Sequence, residues 1–243
     1  MISYKLTYKA FGNRAIIIEW PAKIDKNILK NVILFKNSIL KNNTKVIVEV
    51  INTYNSLTII YQSTIENIYT EILALKSIYK SDFPQTHIKN YRWGIPVCYD
   101  KKFGIDLSEI SQKNGLEIDA IIKLHSSPIY TVFFVGFLPG FLYLGGLENQ
   151  LNLDRKSNPR LTVKKGSVGI AGSQTGIYPM ASSGGWNIIG NSPISFFNLK
   201  NKNPCFAKSG DEIQFYRISI KEHQQIKTQE EIGFYQIEKK LIL

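Results

Sequence analysis

A long stretch without charge constrains the fold of this chain more than any other feature of its sequence. No Lys, Arg, Asp or Glu occurs from Gly166 to Asn198. Short runs of β-forming residues alternate there with turns that contain Gly or Pro. Eleven of the 17 glycines lie between Gly136 and Gly190, so tight turns are concentrated in this region. The pattern predicts a β-barrel or sandwich in the second half of the chain.

The first ninety residues have a different pattern, in which strands and helices alternate. Apolar residues at Ile28, Val32, Phe35 and Ile39 have the spacing of one helix face. The tetrapeptide 63–66, Ser-Thr-Ile-Glu, matches a capping box in front of a second apolar helix face. Strand patterns at 5–9, 14–20, 45–51, 56–61 and 91–98 flank these helices, which predicts helices on one side of a mainly antiparallel sheet. The fold class expected is therefore α+β.

The domain boundaries follow from these two patterns. The polar and Pro-containing segment near Asp82, Phe83 and Pro84 separates them. Asp106 to Glu109 predicts a further capped helix, which Gly115 ends, and a short helix is expected over 117–124. The polar tail after Ser219 predicts a short helix or a loosely held extension. We expect an N-terminal α/β domain over 1–88, a β-barrel domain over 89–222 and a C-terminal tail over 223–243.

Composition excludes several classes of protein. The chain has 243 residues and a formal net charge of +11, but the excess is Lys spread along the sequence, so a nucleic-acid surface is not expected. Its two cysteines, Cys98 and Cys205, lie far apart and form no zinc or disulfide pattern. The uncharged run 130–147 is long enough for a membrane span, yet its glycines and proline divide it into strands and turns. We expect a cytoplasmic protein that has no membrane segment and no signal peptide.

Motifs for several common chemistries are absent from the sequence. There is no phosphate-binding loop, no dinucleotide-binding glycine pattern, no nucleophile elbow and no H-E-x-x-H zinc motif. The sequence has three histidines, too few for a His-rich metal site to be expected. Two S-x-x-K matches, at 38–41 and 77–80, fall on predicted amphipathic helices and indicate surface helix faces more than a nucleophile.

The glycine-rich segment allows two interpretations that the residues alone do not separate. Its glycines lie beside polar side chains. This is typical of a cleft in which backbone N–H groups bind an amide or carboxylate. The same glycines are also expected at the tight turns of a barrel. His125 is a candidate general base or a helix cap, and Arg160 is a carboxylate clamp or a solvated strand end. Trp186 is more typical of a core or interface anchor than of a stacking platform.

Three blocks of the second half resemble one family. They are Val135-Gly-Phe-Leu-Pro-Gly-Phe-Leu-Tyr-Leu-Gly-Gly-Leu147, the glycine-rich block 166–179, and Gly184-Gly-Trp-Asn-Ile-Ile-Gly190. These blocks resemble the family of KipI and the B subunit of 5-oxoprolinase, also called allophanate hydrolase subunit 1, the carboxyltransferase domain with subdomains C and D. The sequence departs from the family pattern at Ser183 and at Asn191-Ser192, where an arginine beside Gly190 is missing.

The resemblance implies a ferredoxin-like N-terminal domain followed by a cyclophilin-like β-barrel. It implies one component of an ATP-dependent 5-oxoprolinase, inactive alone, that opens 5-oxo-L-proline to L-glutamate together with the homologous C subunit of that enzyme and its A subunit. An inhibitor of a histidine kinase, as in KipI, and a protein related to allophanate hydrolase or urea carboxylase are the alternatives. The site residues it implies are His125, Arg160 and Gln174 for catalysis, and Gly172, Tyr178, Gly184, Gly185 and Trp186 for substrate binding.

The apolar run also raises the question of an interface. Its aromatic residues are Phe133, Phe134, Phe137, Phe141 and Tyr143. They either fill the barrel core or leave a patch for a partner protein, and the sequence does not choose between the two.

Overall fold

A computed structural model describes residues 4–42, 47–81 and 89–242 of the chain. Contacts between residues divide it into two units, Met1–Ile88 and Lys89–Leu243. The segment expected to separate the domains, around Asp82 to Pro84, lies outside the described residues, as do the first two residues of the strand expected over 45–51.

The first unit is a four-stranded sheet with two helices. Its elements are β1 (Thr7–Ala10), β2 (Ala15–Glu19), α1 (Lys26–Asn42), β3 (Ile47–Asn52), β4 (Ser56–Tyr61) and α2 (Ile68–Lys80). The strands lie in the order β1-β2-β4-β3, and every neighbouring pair is antiparallel. β2 and β3 are therefore parallel to each other, with β4 inserted between them. The apolar face predicted for α1 is confirmed, since Ile28, Val32, Phe35 and Ile39 are all buried in the core of this unit.

The connectivity of this unit differs from the β-α-β-β-α-β order of a ferredoxin-like domain. Along the chain the order here is β-β-α-β-β-α. The strand pair β2 and β3, joined by α1 and separated by β4, is the split unit of that fold. β1 precedes this unit in sequence, whereas the corresponding strand of a ferredoxin-like domain comes last. The order of elements along the chain is therefore not the expected one.

Helix α2 begins later than its sequence pattern predicts. The N-cap is Asn67, whose side-chain oxygen accepts a hydrogen bond from the Thr70 backbone N–H at 3.1 Å. The predicted capping box at 63–66 is wrong because those residues belong to the preceding loop. There the Ile65 N–H donates to the carbonyl of Asn13 at 2.9 Å, so this donor is already paired before the helix begins.

The second unit contains ten strands and three helices within the described residues. They are β5 (Asn90–Val97), α3 (Leu107–Asn114), α4 (Ile118–Ser126), β6 (Ile129–Val135), β7 (Leu142–Gly145), β8 (Arg160–Val163), β9 (Ser167–Ala171), β10 (Gln174–Ile177), β11 (Ser182–Gly184), β12 (Asn187–Asn191), β13 (Glu212–Arg217), α5 (Ile220–Glu231) and β14 (Lys239–Ile242). A 3₁₀ turn, Asn149–Leu151, follows β7. Eight strands form one sheet in the order β12-β9-β10-β7-β6-β13-β5-β14, and β8 pairs with β11 separately.

The eight-stranded sheet curls until it meets itself. Just beyond β5, the Cys98 N–H donates to the Asn191 carbonyl at 2.9 Å, and the Asn191 N–H donates back at 3.0 Å. Asn191 ends β12, the opposite edge strand, so this pair closes a barrel around a continuous apolar core. The outer edge of β5 is thus shared. Its first half, Asn90 to Trp93, pairs with β14, and Cys98, which follows the end of β5, pairs with β12.

The segment expected as a C-terminal tail contributes two elements to this unit. Ser219 and Glu222 form a capping box at the start of α5, and β14 adds an edge strand to the sheet. His223 in α5 shares a 2.8 Å hydrogen bond with the Asn191 side chain, which ties the helix to the closing pair.

The uncharged run 130–147 folds into strands and a turn, as its glycines and proline predict. It supplies β6, a turn that contains Pro139 and Gly140, and β7. Among the described residues, no helix combines the length and the apolar character needed to cross a membrane.

Candidate functional site

One outer face of the barrel sheet is covered by aromatic side chains. We call Phe134, Phe141, Tyr143, Tyr178 and Trp186 the aromatic face. The Phe134 and Tyr143 rings, on paired positions of β6 and β7, stack at 4.2 Å with 12° between their planes. Phe141 contacts Tyr143, Tyr178 and Trp186 with ring centroids 4.7 to 5.5 Å apart. Phe134 and Tyr143 keep part of their surface exposed, whereas Phe141, Tyr178 and Trp186 are buried.

Two glycines in the sheet leave room for the tryptophan. Gly176 pairs with Tyr143 on one side and with Gly169 on the other, so all three point to the same face. A Cβ on Gly176 would lie 3.1 Å from Cζ3 of Trp186, and one on Gly169 would lie 3.1 Å from its Cβ. The indole therefore lies directly against the backbone of β9 and β10. At these two positions the glycines serve ring packing, not a backbone cleft.

Gly184 serves the same purpose for Tyr178. A Cβ on Gly184 would overlap the Tyr178 hydroxyl oxygen, so only glycine allows the phenol into this position. The Trp186 backbone lies close enough to the hydroxyl to oppose the rise in the pKa of Tyr178 that burial causes. Burial raises the pKa of Tyr178, while the nearby Arg155 and Arg160 oppose that shift. The phenol is thus a neutral, packed group beneath the face.

Gly172 and Gly185 hold a loop segment next to this face through backbone hydrogen bonds. The Gly172 N–H donates to the Leu153 carbonyl at 2.6 Å, and the Lys156 N–H donates to the Gly185 carbonyl at 2.7 Å. Gly172 has φ +55°, as the turn between β9 and β10 requires. Gln174 follows this turn and lies on the same sheet face as Gly176, because two residues along a strand share a face. Its side chain is partly exposed.

Arg160 clamps a carboxylate, but that carboxylate belongs to the chain itself. Its Nη2 lies 2.5 Å from Oδ1 of Asp106, and its Nη1 donates to the Trp186 carbonyl at 3.4 Å. The Asp106 side chain, 4% exposed, also lies 3.2 Å from Nζ of Lys156, and its Oδ2 accepts from the Ile188 N–H at 2.6 Å. Asp106 therefore joins the start of α3 to β8 and β12.

The predicted capping box at 106–109 is wrong because the Asp106 carboxylate already has these partners. Asp106 is the N-cap residue of α3, but its carboxylate makes no capping hydrogen bond, since both oxygens are used by partners far along the chain. Glu109 instead pairs with Lys156 and Lys113, and these hydrogen bonds lower its pKa to about 2. The predicted end of α3 is confirmed: Gly115 is left-handed, with φ +64°.

His125 lies on the opposite side of the sheet, inside the barrel. Its side chain is 0% exposed and stacks on Phe215 at 4.6 Å. Nδ1 is 2.8 Å from the Tyr99 hydroxyl, and Nε2 is 2.9 Å from Oγ1 of Thr175. Because the Thr175 hydroxyl donates its proton to the Gly169 carbonyl, it accepts from Nε2–H, and Nδ1 accepts from Tyr99.

Burial lowers the pKa of His125 to about 3, so the imidazole is neutral. The structure thus separates the eight predicted site residues. Arg160, Gln174, Gly172, Tyr178, Gly184, Gly185 and Trp186 lie on or beside the aromatic face, and His125 does not.

Three features of this region are not among the residues that the sequence singles out for a site. Arg155 lies in the loop segment that is hydrogen-bonded to Gly172 and Gly185 beside the face, and Asp106, predicted only as a helix cap, is the centre of the ion pairs. Phe137 has φ +67°, an uncommon conformation for a bulky residue, and is 64% exposed at the tip of the turn between β6 and β7. Arginine is scarce in this sequence, which has five, and this signal applies equally to Arg160 and Arg155.

Other places in the second unit hold no predicted site residue. A groove of about 620 Å³ lies where the parallel strands β5 and β13 end, and Cys98, Asp100, Arg217 and Lys221 are among its lining residues. Within residues 4–42, 47–81 and 89–242, no cluster of His, Cys, Asp and Glu is placed to hold a metal ion.

Comparison with known families agrees with the motifs around the aromatic face. Residues 6–207 match the family described as carboxyltransferase domain, subdomain C and D. The chain belongs to this family. The match includes every predicted site residue and most of both units.

Curated relatives match the chain more narrowly. The chain is 43% identical over 133 residues to the B subunit of 5-oxoprolinase from Bacillus subtilis (strain 168), covering 55% of each chain. It is 46% identical over 121 residues to the B subunit of 5-oxoprolinase from Escherichia coli O157:H7, covering 50% of this chain and 56% of the relative. The chain thus matches little more than half the length of these relatives.

A solved structure matches the fold over more of the chain. The crystal structure of Kluyveromyces lactis urea carboxylase aligns with 99% of this chain and 24% of its own, with a TM-score of 0.84 at 20% identity. At that identity the likeness concerns the fold. This mixed α/β fold therefore also occurs as one part of a much longer chain.

Proposed function

We propose that this chain is the B subunit of an ATP-dependent 5-oxoprolinase, which opens 5-oxo-L-proline to L-glutamate together with the A and C subunits of that enzyme. The observation that carries the proposal is the 43–46% identity to relatives named as the B subunit of 5-oxoprolinase. The geometry agrees with it. A partly exposed aromatic face with arginines beside it suits a small, flat molecule that carries a negative charge.

The reaction sets a specific demand on such a site. A lactam is a stabilised amide, so its opening needs activation of the carbonyl oxygen and donors for the charge that develops there. ATP supplies the activation. We assign ATP binding to the complex as a whole and no step of the activation to residues of this chain, because its sequence lacks a phosphate-binding loop. This chain's part is to bind and orient the lactam. The chain is expected to be inactive alone.

The roles of the site residues follow from where they lie. Gln174 has a carboxamide at the edge of the aromatic face and is the residue best placed to exchange hydrogen bonds with a substrate amide. Arg160 acts as a positioning residue, because its guanidinium holds Asp106 and the Trp186 carbonyl. Gly172, Tyr178, Gly184, Gly185 and Trp186 shape the face from beneath. His125, buried and doubly hydrogen-bonded, keeps the barrel side of β10 in register.

The C subunit is the partner we propose for this face. Two large apolar side chains beside it are exposed: Phe137 is 64% exposed, and Leu161 on β8 is 91% exposed. Exposed apolar residues next to a partly polar site are typical of a surface that a partner covers. Of the aromatic residues in the run 130–147, Phe133 and Phe141 are buried, and Phe137 is exposed and available to a partner.

We propose, as finer fold assignments, a cyclophilin-like barrel for the second unit and a permuted ferredoxin-like domain for the first. A cytoplasmic location is also proposed. It is supported by two cysteines that are both free thiols.

A second candidate function is a component of a urea-linked carboxyltransferase. It is favoured by the TM-score of 0.84 to urea carboxylase, a likeness in fold that spans nearly the whole chain. The two candidates share a planar amide as substrate and differ in whether that substrate carries a carboxylate.

A reconstitution assay tests the first candidate. Purified chain is mixed with the candidate A and C subunits, ATP and 5-oxo-L-proline, and glutamate release is measured with and without the chain. We expect release only with all three proteins. The Arg14→Ala variant is the matched control, because Arg14 is an exposed arginine of the first unit and should leave release unchanged. A folded three-protein mixture that releases no glutamate would exclude the assignment, and urea-dependent ATP hydrolysis in that mixture would favour the second candidate.

A further inference from the structure

The loop segment 153–156 is fixed across the end of the aromatic face. The carbonyl of Leu153 accepts from the Gly172 N–H at 2.6 Å, and the carbonyl of Asp154 accepts from Nδ2 of Asn187 at 2.9 Å. The N–H of Lys156 donates to Gly185 at 2.7 Å. Asn187 is buried, and its Nδ2 also lies 3.3 Å from the Ile170 carbonyl. Backbone groups on both sides of Arg155 are therefore tied to β9, β12 and their turns.

The side chain that this segment presents is Arg155. It is exposed, and no ion pair or hydrogen bond joins its guanidinium to another residue in the part of the chain that the structure describes. Its charge acts on two phenols of the aromatic face: it opposes the rise in pKa that burial causes at Tyr143 and at Tyr178.

Arg160 presents the opposite case. Its guanidinium is 2.5 Å from a carboxylate that is itself nearly inaccessible, and it also donates to a backbone carbonyl. Its charge is balanced by the Asp106 carboxylate, and two of its five N–H donors are in use. Two arginines thus flank the same face, one committed to Asp106 and one available.

We propose that Arg155, not Arg160, binds the carboxylate of the substrate at the aromatic face. The ligand class is a small carboxylate with a flat ring, and the identification of that ligand as 5-oxoproline rests on the proposed function. A guanidinium binds a carboxylate through two parallel hydrogen bonds. The ring of the ligand would lie against the aromatic face, where Phe134 and Tyr143 are partly exposed.

The backbone ties explain why this arginine can act with precision. A binding residue on a loop loses affinity to the entropy of ordering that loop. Here the flanking peptide groups are already hydrogen-bonded to the sheet, so ordering concerns the side chain of Arg155 alone. Gly172 and Gly185, which the sequence motifs single out as substrate-binding, would act on the substrate through the position of this segment.

Kinetics of the three-protein complex test the proposal. Arg155→Ala should raise KM for 5-oxoproline by about 10- to 100-fold, the range for the loss of a charged hydrogen-bond partner, with kcat and KM for ATP little changed. Arg155→Lys keeps the charge without the geometry for two parallel hydrogen bonds, so its KM should lie between those of the wild type and Arg155→Ala. The carboxamide of 5-oxoproline provides the second readout, since it lacks the carboxylate. Wild-type complex should prefer the acid strongly, and the Arg155→Ala complex should lose that preference.

Two controls separate the possible failures. Arg160→Ala should lower the midpoint of thermal unfolding, because Asp106 loses a partner, whereas Arg155→Ala should not. Arg14→Ala should change neither KM nor the midpoint. If wild-type complex releases no glutamate, the proposed function fails. If wild-type complex is active and Arg155→Ala or Arg155→Lys retains both the normal KM and the preference for the acid, the assignment of Arg155 is overturned.

Discussion

The burial of His125 leads to a quantitative prediction about pH. In the folded chain the imidazole is neutral with a pKa of about 3, against an ordinary value of 6.5. Below pH 6.5 the unfolded chain binds a proton that the folded chain does not. The contribution of His125 to stability is therefore fully present above pH 6.5 and is lost as the pH falls from 6.5 towards 3. One pKa unit corresponds to 1.36 kcal/mol, so His125 alone should cost about 2 kcal/mol of unfolding free energy at about pH 5 relative to pH 7.5.

Comparison with His125→Gln isolates this contribution. Glutamine can hydrogen-bond with Tyr99 and Thr175 and does not titrate. Urea denaturation of both proteins at several pH values between 5 and 7.5 gives the difference in slope. Other titrating groups cancel in that difference, including His223, whose pKa is also lowered by burial. Unfolding free energy should fall more steeply with acid in the wild type, whatever the absolute stability of the variant.

The same experiment bears on catalysis. A general base at this position would need a pKa near the working pH and access to substrate. Equal slopes in wild type and His125→Gln, or an NMR titration of the ring near pH 6.5 in the folded chain, would refute the neutral buried imidazole. Either result would restore His125 as a candidate base.

Two substitutions test the packing around the face. Gly184→Ala should destabilise the second unit by about 1–3 kcal/mol, because the new methyl group meets the Tyr178 hydroxyl, and adding Tyr178→Phe should recover part of the loss in urea denaturation. Asp106→Ala should cost about 3–5 kcal/mol, since it leaves Arg160 partly buried without its carboxylate, while Asp106→Asn should cost less because it still accepts from the Ile188 N–H. A Gly184→Ala protein as stable as wild type, or equal losses for the two Asp106 variants, would contradict this account of the contacts.

Local sequence patterns predicted the elements whose determinants are local. The apolar spacing of α1 and the left-handed Gly115 that ends α3 depend on residues within a few turns of each other, and both were found as expected. Glycine and turn spacing predict a barrel or a sandwich, and the closing pair shows which of the two forms. The capping boxes failed at 63–66 and at Asp106 because distant groups compete for the same donors and acceptors. Asp106 bonds to Ile188 and Arg160, and neither partner is visible in a short window.

The candidate site was predictable in place but not in detail. The glycine-rich motifs do mark the aromatic face, yet Gly176 and Gly184 are there to admit Trp186 and Tyr178. Strand alternation decides which side of a sheet a residue faces, and this depends on register. Gln174 and Thr175 are neighbours in sequence but face opposite sides, so the partner of Thr175, His125, lies in the interior. Without the register, the sequence could not separate His125 from the rest.

The shared edge of β5 gives the barrel a defined mechanical weak point. A force applied to β14 would first shear its hydrogen bonds from β5 and would then load α5, whose His223 is bonded to the Asn191 side chain. That load would reach the Cys98–Asn191 pair, which closes the cylinder, before it reached the longer strand ladders. The second unit should therefore unzip from its C-terminal edge and open as a curved sheet, with the aromatic face, carried by strands β6, β7, β9 and β10 and their connections, among the last parts to come apart.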